Sequence, residues 1–234
     1  MELLKKSGNE MSFKGKIDIS LANAIRRSVS QISVLAIQEC DLYKNDSALY
    51  DELIAHRLGL IPLKNQKLKA GEVIELKLKA KGKEGGIEIM SGELGDLSVY
   101  SDMPIVLLDK GQEIEIVARA GVGKGAEHAK YIPGLMFYRH FPNIKISKEG
   151  ESQKELAELF PKAFEFTNKL KVKDASECNL DNDDLKEYPG IDISFDNNLV
   201  FEIESWGQIA PKDIFVEACK ALKANLGTLS KAIK

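Results

Sequence analysis

At 234 residues, with 44% of them hydrophobic and 29% charged, the chain has ordinary globular composition and the length for one large domain or two small ones around a real core. A formal charge of -3 argues against a surface that itself grips nucleic acid, since phosphate binding draws on clustered Lys and Arg. Cys40, Cys178 and Cys219 are far apart with no CxxC pair, which disfavours a disulfide framework or structural zinc, and neither a membrane-length apolar run nor a signal-peptide core is present, so a cytoplasmic protein is expected.

Phe13, Ile17 and Ile19 alternate with polar residues as a strand broken by Gly15, and Ser20 then reads as an N-cap. Leu21, Ile25, Val29 and Ile32 follow at steps of 4, 4 and 3, an amphipathic helix. Arg26 and Arg27 lie about 100° apart on it, a pair that by itself reads as a solvated edge. After the strand-like SVLAI, the segment YDELIAHRLGLIPL has Asp51 and Glu52 in a first turn and Arg57 in a last turn. Gly59 reads as the C′ residue, with Pro62 beyond it. Ile74, Leu76, Leu78 and Ala80, then Ile87 and Ile89 after a Gly-rich turn, predict a hairpin with one wet face. Ile114, Ile116 and Ala118 predict a further strand running into GVGKGAEHAKYIPG, and short strands are expected near Ile144–Ile146, Phe164–Phe166 and Leu170–Val172.

From Ser147 to Glu187 charged and polar residues dominate, with a polar stretch at Asn179 to Asp184, as in an insertion or a small appended subdomain. Ile191, Ile193 and Phe195, the pair Asn197-Asn198, and LVFEIES predict a hairpin whose Asn residues tolerate positive φ. Pro211 then suits a first helical turn and Asp213 the positive end of the dipole. Phe215, Cys219, Leu222, Leu226, Leu229 and Ile233 step by 4, 3, 4, 3 and 4, an unbroken apolar seam widened by Ala218 and Ala221. Six such side chains gain roughly 1.5–3 kcal/mol each on burial. Periodicity leaves open whether this chain or a different one covers them.

No catalytic or metal set emerges from the residues. His56, His128 and His140 have no metal-pair spacing, and Asp51 and His56 lie about 140° apart on their helix. GVGKG at Gly121–Gly125 fits neither the Walker pattern nor the dinucleotide fingerprint and reads as a basic surface loop. A small-molecule-binding enzyme using residues 121–130 is the rival to the α+β binding or assembly protein that the two amphipathic helices suggest.

LANAIRRSVSQISVLAI at 21–37, YDELIAHRLGLIPL at 50–63, GVGKGAEHAK at 121–130, YRHFPNIKI at 138–146 and FEIESWGQIAPKDIFVEACKAL at 201–222 occur in one order over most of the chain. In these segments the chain resembles the D-subunit family of archaeal RNA polymerases, counterparts of the N-terminal part of bacterial alpha and of the third-largest eukaryotic subunit. The resemblance implies an alpha-like dimerisation domain from residues 1–38 and 188–234, with a β-rich domain, 39–187, inserted. It implies a smaller partner, subunit L, on Leu21, Ile25, Val29 and Ile32 and on the seam of Phe215, Cys219, Leu222, Leu226, Leu229 and Ile233. Arg26 and Arg27, with His56 and Arg57, would contact a large catalytic subunit. The role is non-catalytic assembly together with other small subunits, with no direct sequence-specific DNA binding and no membrane.

Many members of that family carry a ferredoxin-like subdomain with cluster-binding cysteines. Here the matching stretches read LFPKAFEF and DASECNLDNDD, with Phe160 where a Cys would precede Pro and Cys178 alone remaining. One thiolate cannot hold a cubane that needs about four, so residues 148–187 are expected to be a reduced, clusterless relic and no cofactor or metal is expected. The zinc cysteines of some eukaryotic relatives are absent too, and the 121–130 segment is longer than the family's usual loop. The chain ends just after its last helix, without the linker and DNA-binding domain of bacterial alpha, so an archaeal origin is expected.

Overall fold

Alternating or helically spaced apolar residues set most elements, and the turn residues between them set their ends. The computed structural model describes residues 1–69, 71–180 and 184–233. Strands β1 (Glu2–Ser7) and β2 (Glu10–Gly15) form an antiparallel pair turning at Gly8, whose φ of +51° favours glycine. Helix α1 (Ile19–Ser28) and one 3-10 turn at Val29–Gln31 lead into β3 (Ser33–Asn45) and helix α2 (Asp51–Gly59). Then come β4 (Ile74–Lys81), β5 (Ile87–Met90), β6 (Pro104–Leu108), β7 (Glu113–Lys124) and β8 (Gly134–Ile146). The short helix α3 (Lys154–Leu159), strands β9 (Phe164–Phe166), β10 (Leu170–Val172) and β11 (Ile191–Ser205), and helix α4 (Pro211–Ala232) complete an α+β fold.

Two helix ends differ from their sequence signals. The cap of α1 is Asp18, not Ser20: its carboxylate accepts the Ser20 N–H at 2.8 Å and the Ser20 hydroxyl as well, and these bonds hold that carboxyl below its usual range. The helix also stops at Ser28, whose hydroxyl donates to the Ala24 carbonyl at 2.8 Å, a back-bond that bends helices. Residues 20–32 are therefore a helix and a 3-10 turn. In α2, Gly59 is the last helical residue and has no positive φ. The Leu60 N–H closes the end by reaching the His56 and Arg57 carbonyls, each at 3.2 Å.

The chain divides into two compact units, Met1–Ala22 with Met136–Glu202 and Asn23–Leu135 with Ile203–Lys234. These cuts differ from the 38/39 and 187/188 boundaries that the family resemblance implies. At 38/39 there is no linker: β3 runs through it, paired with β7 from Ser33↔Lys124 to Asn45↔Ile114, and the ladder slips between Ile37 and Glu39.

In the unit of Asn23–Leu135 with Ile203–Lys234, β7 lies between β3 and β4, antiparallel to both. Its inward residues Ile114, Ile116, Ala118 and Ala120 share a core with Leu76 and Leu78 of β4 and with Ile54 and Leu58 of α2, which packs on β3. The hairpin expected between β4 and β5 does not form. β4 pairs with β7 from Ile74↔Ala120 to Lys81↔Glu113, while β5 pairs with β6 in a sheet of its own. The Gly-rich turn does turn the chain, at Gly85 and Gly86 with φ of +88° and +80°, while Gly82 leaves room for the Asp109 carbonyl. Burial against a strand distant in sequence then decides the pairing.

In the other unit the sheet order is β1-β2-β11-β8. Phe13 of β2 stacks on Phe201 of β11 with ring centroids 5.1 Å apart, and Tyr138 of β8 tilts against Phe201 at 5.8 Å. Residues Leu156, Ala163, Phe164, Leu170, Cys178 and Leu180 make a small core with Ile191 and Ile193 of β11. The polar region after Ser147 thus has an interior of its own; residues 181–183 of its expected polar stretch lie outside the described residues. Arg139 of β8 ties it down, donating to Glu202 at 2.9 Å, to the Cys178 carbonyl at 3.2 Å and to the Ser176 carbonyl. The hairpin expected at Asn197-Asn198 is absent. β11 continues through it, and no non-glycine residue among those described has positive φ. Asp196 instead accepts the Asn198 backbone and side-chain N–H groups, each at 2.7 Å, which gives the Asx bonding of a turn without reversing the chain.

On the polar face of β3-β7-β4, Arg119 stands opposite Glu39 and Glu75 and bonds Asp41 at 2.6 Å. Further along, Glu113 accepts from Lys44 and Lys81, each at 2.7 Å. These bonds, that to Lys44 foremost, lower the Glu113 carboxyl from its ordinary 4.5 to about 2. Its folded pKa lies below its unfolded one, so its contribution to stability is fully present above about pH 4.5 and is lost as pH falls toward 2. A carbon-13 NMR titration of the folded protein should find no Glu113 midpoint near 4.5, and Lys44→Ala should move that midpoint upward.

Candidate partner interface

The launch of α4 is set by the turn before it. Gly207, at φ +89°, gives its N–H to the Ser205 hydroxyl at 2.9 Å, and that hydroxyl donates to the Ile209 carbonyl. Pro211 then enters the first turn with φ already set and no N–H to leave unpaired. The first half of α4 is anchored: Pro211, Ile214 and Ala218 are buried, the last two completely, and the helix packs on the 3-10 turn at Val29–Gln31.

The seam lies to one side of that anchor. At 100° per residue, all six seam positions fall within about 40° of Phe215, whereas Ile214 lies about 100° away. Phe215, Cys219 and Leu222 are half-buried, and partial burial pushes the Cys219 thiol up. Leu226, Leu229 and Ile233 are 57%, 56% and 77% exposed. From Lys223 to Ile233 every residue is exposed, about three turns of helix. Among the described residues this stretch has no cover on any side.

The helix near the N-terminus divides differently. Leu21 is 48% exposed, but Ile25, Val29 and Ile32 are each 5% exposed. Those three are covered by this chain, so only Leu21 of that set offers open surface. The spacing located an apolar face correctly; it could not say whose atoms cover it. Ile19 and Val216, which the stepping passed over, are exposed. Their signal was only that each is a large apolar residue off the stripe.

The four basic positions occupy helix ends. Arg26 and Arg27 are in the last turn of α1, both exposed, and Arg26 bonds Asn23 at 2.9 Å. His56 and Arg57 are in the last turn of α2, also exposed, with Arg57 donating to the Pro104 carbonyl at 3.0 Å. Positive charge there complements the helix dipole whatever else it meets.

The phosphate-loop rival fails on geometry. Gly121–Lys124 is the end of β7, paired with Ser33–Ala36, so it is not the basic loop expected either. A Cβ at Gly121 would stand 2.5 Å from the Gln38 side chain, and one at Gly123 2.5 Å from the Tyr131 ring. These glycines make room for the chain's own side chains. Lys130 donates to the Ile37 carbonyl at 2.8 Å, and burial lowers its pKa.

Residues 13–226 match the family model described as the RNA polymerase Rpb3/Rpb11 dimerisation domain. Among curated proteins, the chain is 38% identical to DNA-directed RNA polymerase subunit Rpo3 of Pyrococcus horikoshii over 69% of this chain and 67% of that one. It is 33% identical to Rpo3 of Pyrococcus furiosus over 95% and 92% of the two chains, and 31% identical to Rpo3 of Methanothermobacter thermautotrophicus over 94% of each. No helix is long and apolar enough to cross a membrane among the described residues.

The two halves of α4 should respond unequally to side-chain truncation. Ile214→Ala, at a fully buried site, should cost about 2–5 kcal/mol in chemical denaturation of the isolated chain. Leu229→Ala, 56% exposed, should stay within about 0.5 kcal/mol of the parent.

Proposed function

The chain belongs to the RNA polymerase Rpb3/Rpb11 dimerisation-domain family, and from that premise we propose that it is the non-catalytic assembly subunit of a cytoplasmic DNA-directed RNA polymerase, pairing with subunit L to form the platform on which the large catalytic subunits dock. One observation supports the pairing above all others: α4 runs on for about three turns beyond its anchor, with Leu226, Leu229 and Ile233 in water. A helix that short is marginal on its own, because most helical stability comes from packing an apolar face. Burying three Leu and Ile side chains would gain roughly 1.5–3 kcal/mol each before the costs of association. Phe215, Cys219 and Leu222 extend that surface along α4, Leu21 is proposed as a separate exposed contact on α1, and Ile25, Val29 and Ile32 are already covered by this chain.

Arg26, Arg27, His56 and Arg57 are the proposed contacts to a large subunit. Their exposure permits it, and paired Arg side chains suit acidic or carbonyl-rich partners. With a net charge of -3, the subunit leaves DNA contact to other chains of the enzyme. Residues 148–187 are proposed to hold no iron–sulfur cluster. That reading rests on Cys178 being the one cysteine of the segment, where a cubane needs about four ligands, and Cys178 sits in an apolar core where burial raises its thiol.

Two measurements test these readings. Leu226→Asp with Leu229→Asp should abolish co-purification with subunit L while the chain alone melts as the parent does; an intact complex would sink the pairing. Protein purified without oxygen should lack iron-linked visible absorbance, and a chelatable brown chromophore would overturn the clusterless assignment.

A further inference from the structure

The flank of α4 away from the seam borders a groove of about 1020 Å³. Asp213, Glu217, Lys220 and Ala224 of α4 line it, and at 100° per residue they stand about 140–200° around the helix from Phe215. Ala221 and Asn225 line it too, about 120° and 80° from Phe215 on the other side of the axis, so the groove runs from the face opposite the seam round toward the seam's edge. The remaining walls come from residues 31–33, the loop at 65–68, the end of β7 and the turn at 208–210.

One wall carries an unmet bond. Gln208 is only 9% exposed, and its side-chain Oε1 is buried with no hydrogen-bond partner among the described residues. Buried acceptors in folded proteins nearly always have a donor, and leaving one without is costly. The groove is also unbalanced in charge. Its lining holds three lysines against two carboxylates, Asp213 and Glu217: Lys220 is bonded to Glu217 at 2.8 Å, and Lys67 and Lys124 on the other walls, like Asp213, have no ion-pair partner among the described residues, which leaves an excess of one positive charge. An occupant must bring an N–H or O–H donor for Gln208 and negative charge for the two lysines. A lone anion supplies the second and not the first.

We propose that this groove receives an extended acidic segment of the same subunit that covers the seam, donating an N–H to Gln208 Oε1 and setting a carboxylate against Lys67 and Lys124. The inference rests on the heterodimer reading above. From Asp213 to Asn225 the groove follows α4 for about 18 Å, the span of about five or six extended residues. Its volume lies at the upper limit of pockets that enclose small molecules, about 300–1,000 Å³, and a peptide offers both kinds of group required. Continuity favours the same protein on both flanks, because beyond Lys223 all of α4 is open.

The full chain is titrated with purified subunit L, and the free chain is melted alongside. Gln208→Leu should weaken binding about fivefold to tenfold and leave the free chain's melting temperature equal or higher, since an unpaired acceptor has been removed. Lys67→Glu with Lys124→Glu should weaken binding about tenfold and flatten its dependence on salt. If both groove variants bind within about twofold of the parent while Leu226→Asp with Leu229→Asp abolishes binding, the groove is not a docking site and the heterodimer reading stands. If the seam variant also binds as the parent does, both readings fall. A Gln208→Leu chain that melts lower when free would assign Gln208 a structural role and overturn the proposal.

Discussion

The structure depends on how far α4 is held. Ile214 and Ala218 are wholly buried, and past Leu222 the helix has nothing of its own chain to lie against. A helix can run free only where its backbone bonds and side-chain pairs outweigh the entropy of ordering it, and short helices in water rarely meet that condition. Three large apolar residues on the free part make solvent a poor environment for it.

Much of the neighbouring structure fixes where α4 begins. Pro133 accepts the Trp206 N–H at 3.0 Å, and Gly134 lets the Glu204 carbonyl oxygen stand 2.1 Å from the place of a Cβ. The start of β8 and the end of β11 are thereby locked backbone to backbone. Gly207 and the Ser205 hydroxyl then redirect the chain into the helix. Because the mount is made of main chain and buried hydroxyl bonds, the direction of the exposed seam does not hang on mobile side chains.

Polar groups are managed closely elsewhere. The outer edge of β3 would be open to another strand, but Asn65 donates to the Ser33 carbonyl and accepts the Leu35 N–H, and Lys130 takes the Ile37 carbonyl. Such side-chain bonds blunt an edge against unwanted pairing. Against that background the Oε1 of Gln208, without a partner among the described residues, stands out. Arg119, set among three carboxylates on its exposed face, and Arg139, holding two carbonyls and Glu202, serve the fold itself.

Periodicity and composition by themselves determined the α+β class, the positions of α1, α2 and α4, the strands at β7, β9 and β10, and a polar segment after Ser147 with its single cysteine. Those features are local, written in spacings of two or of three and four. What paired with what was decided only in three dimensions. The Gly-rich turn after β4 sent the chain to a different sheet, Asn197-Asn198 passed straight through a long strand, and GVGK became the end of a ladder rather than a loop. β1, exposed on both faces, gave no alternation to read. The same limit governed the interface: Ile25 and Leu229 belong to equally regular stripes, yet one is 5% exposed and the other 56%. Spacing records that a face is apolar, while its cover is set by long-range packing, and only the folded chain shows which stripe it leaves exposed.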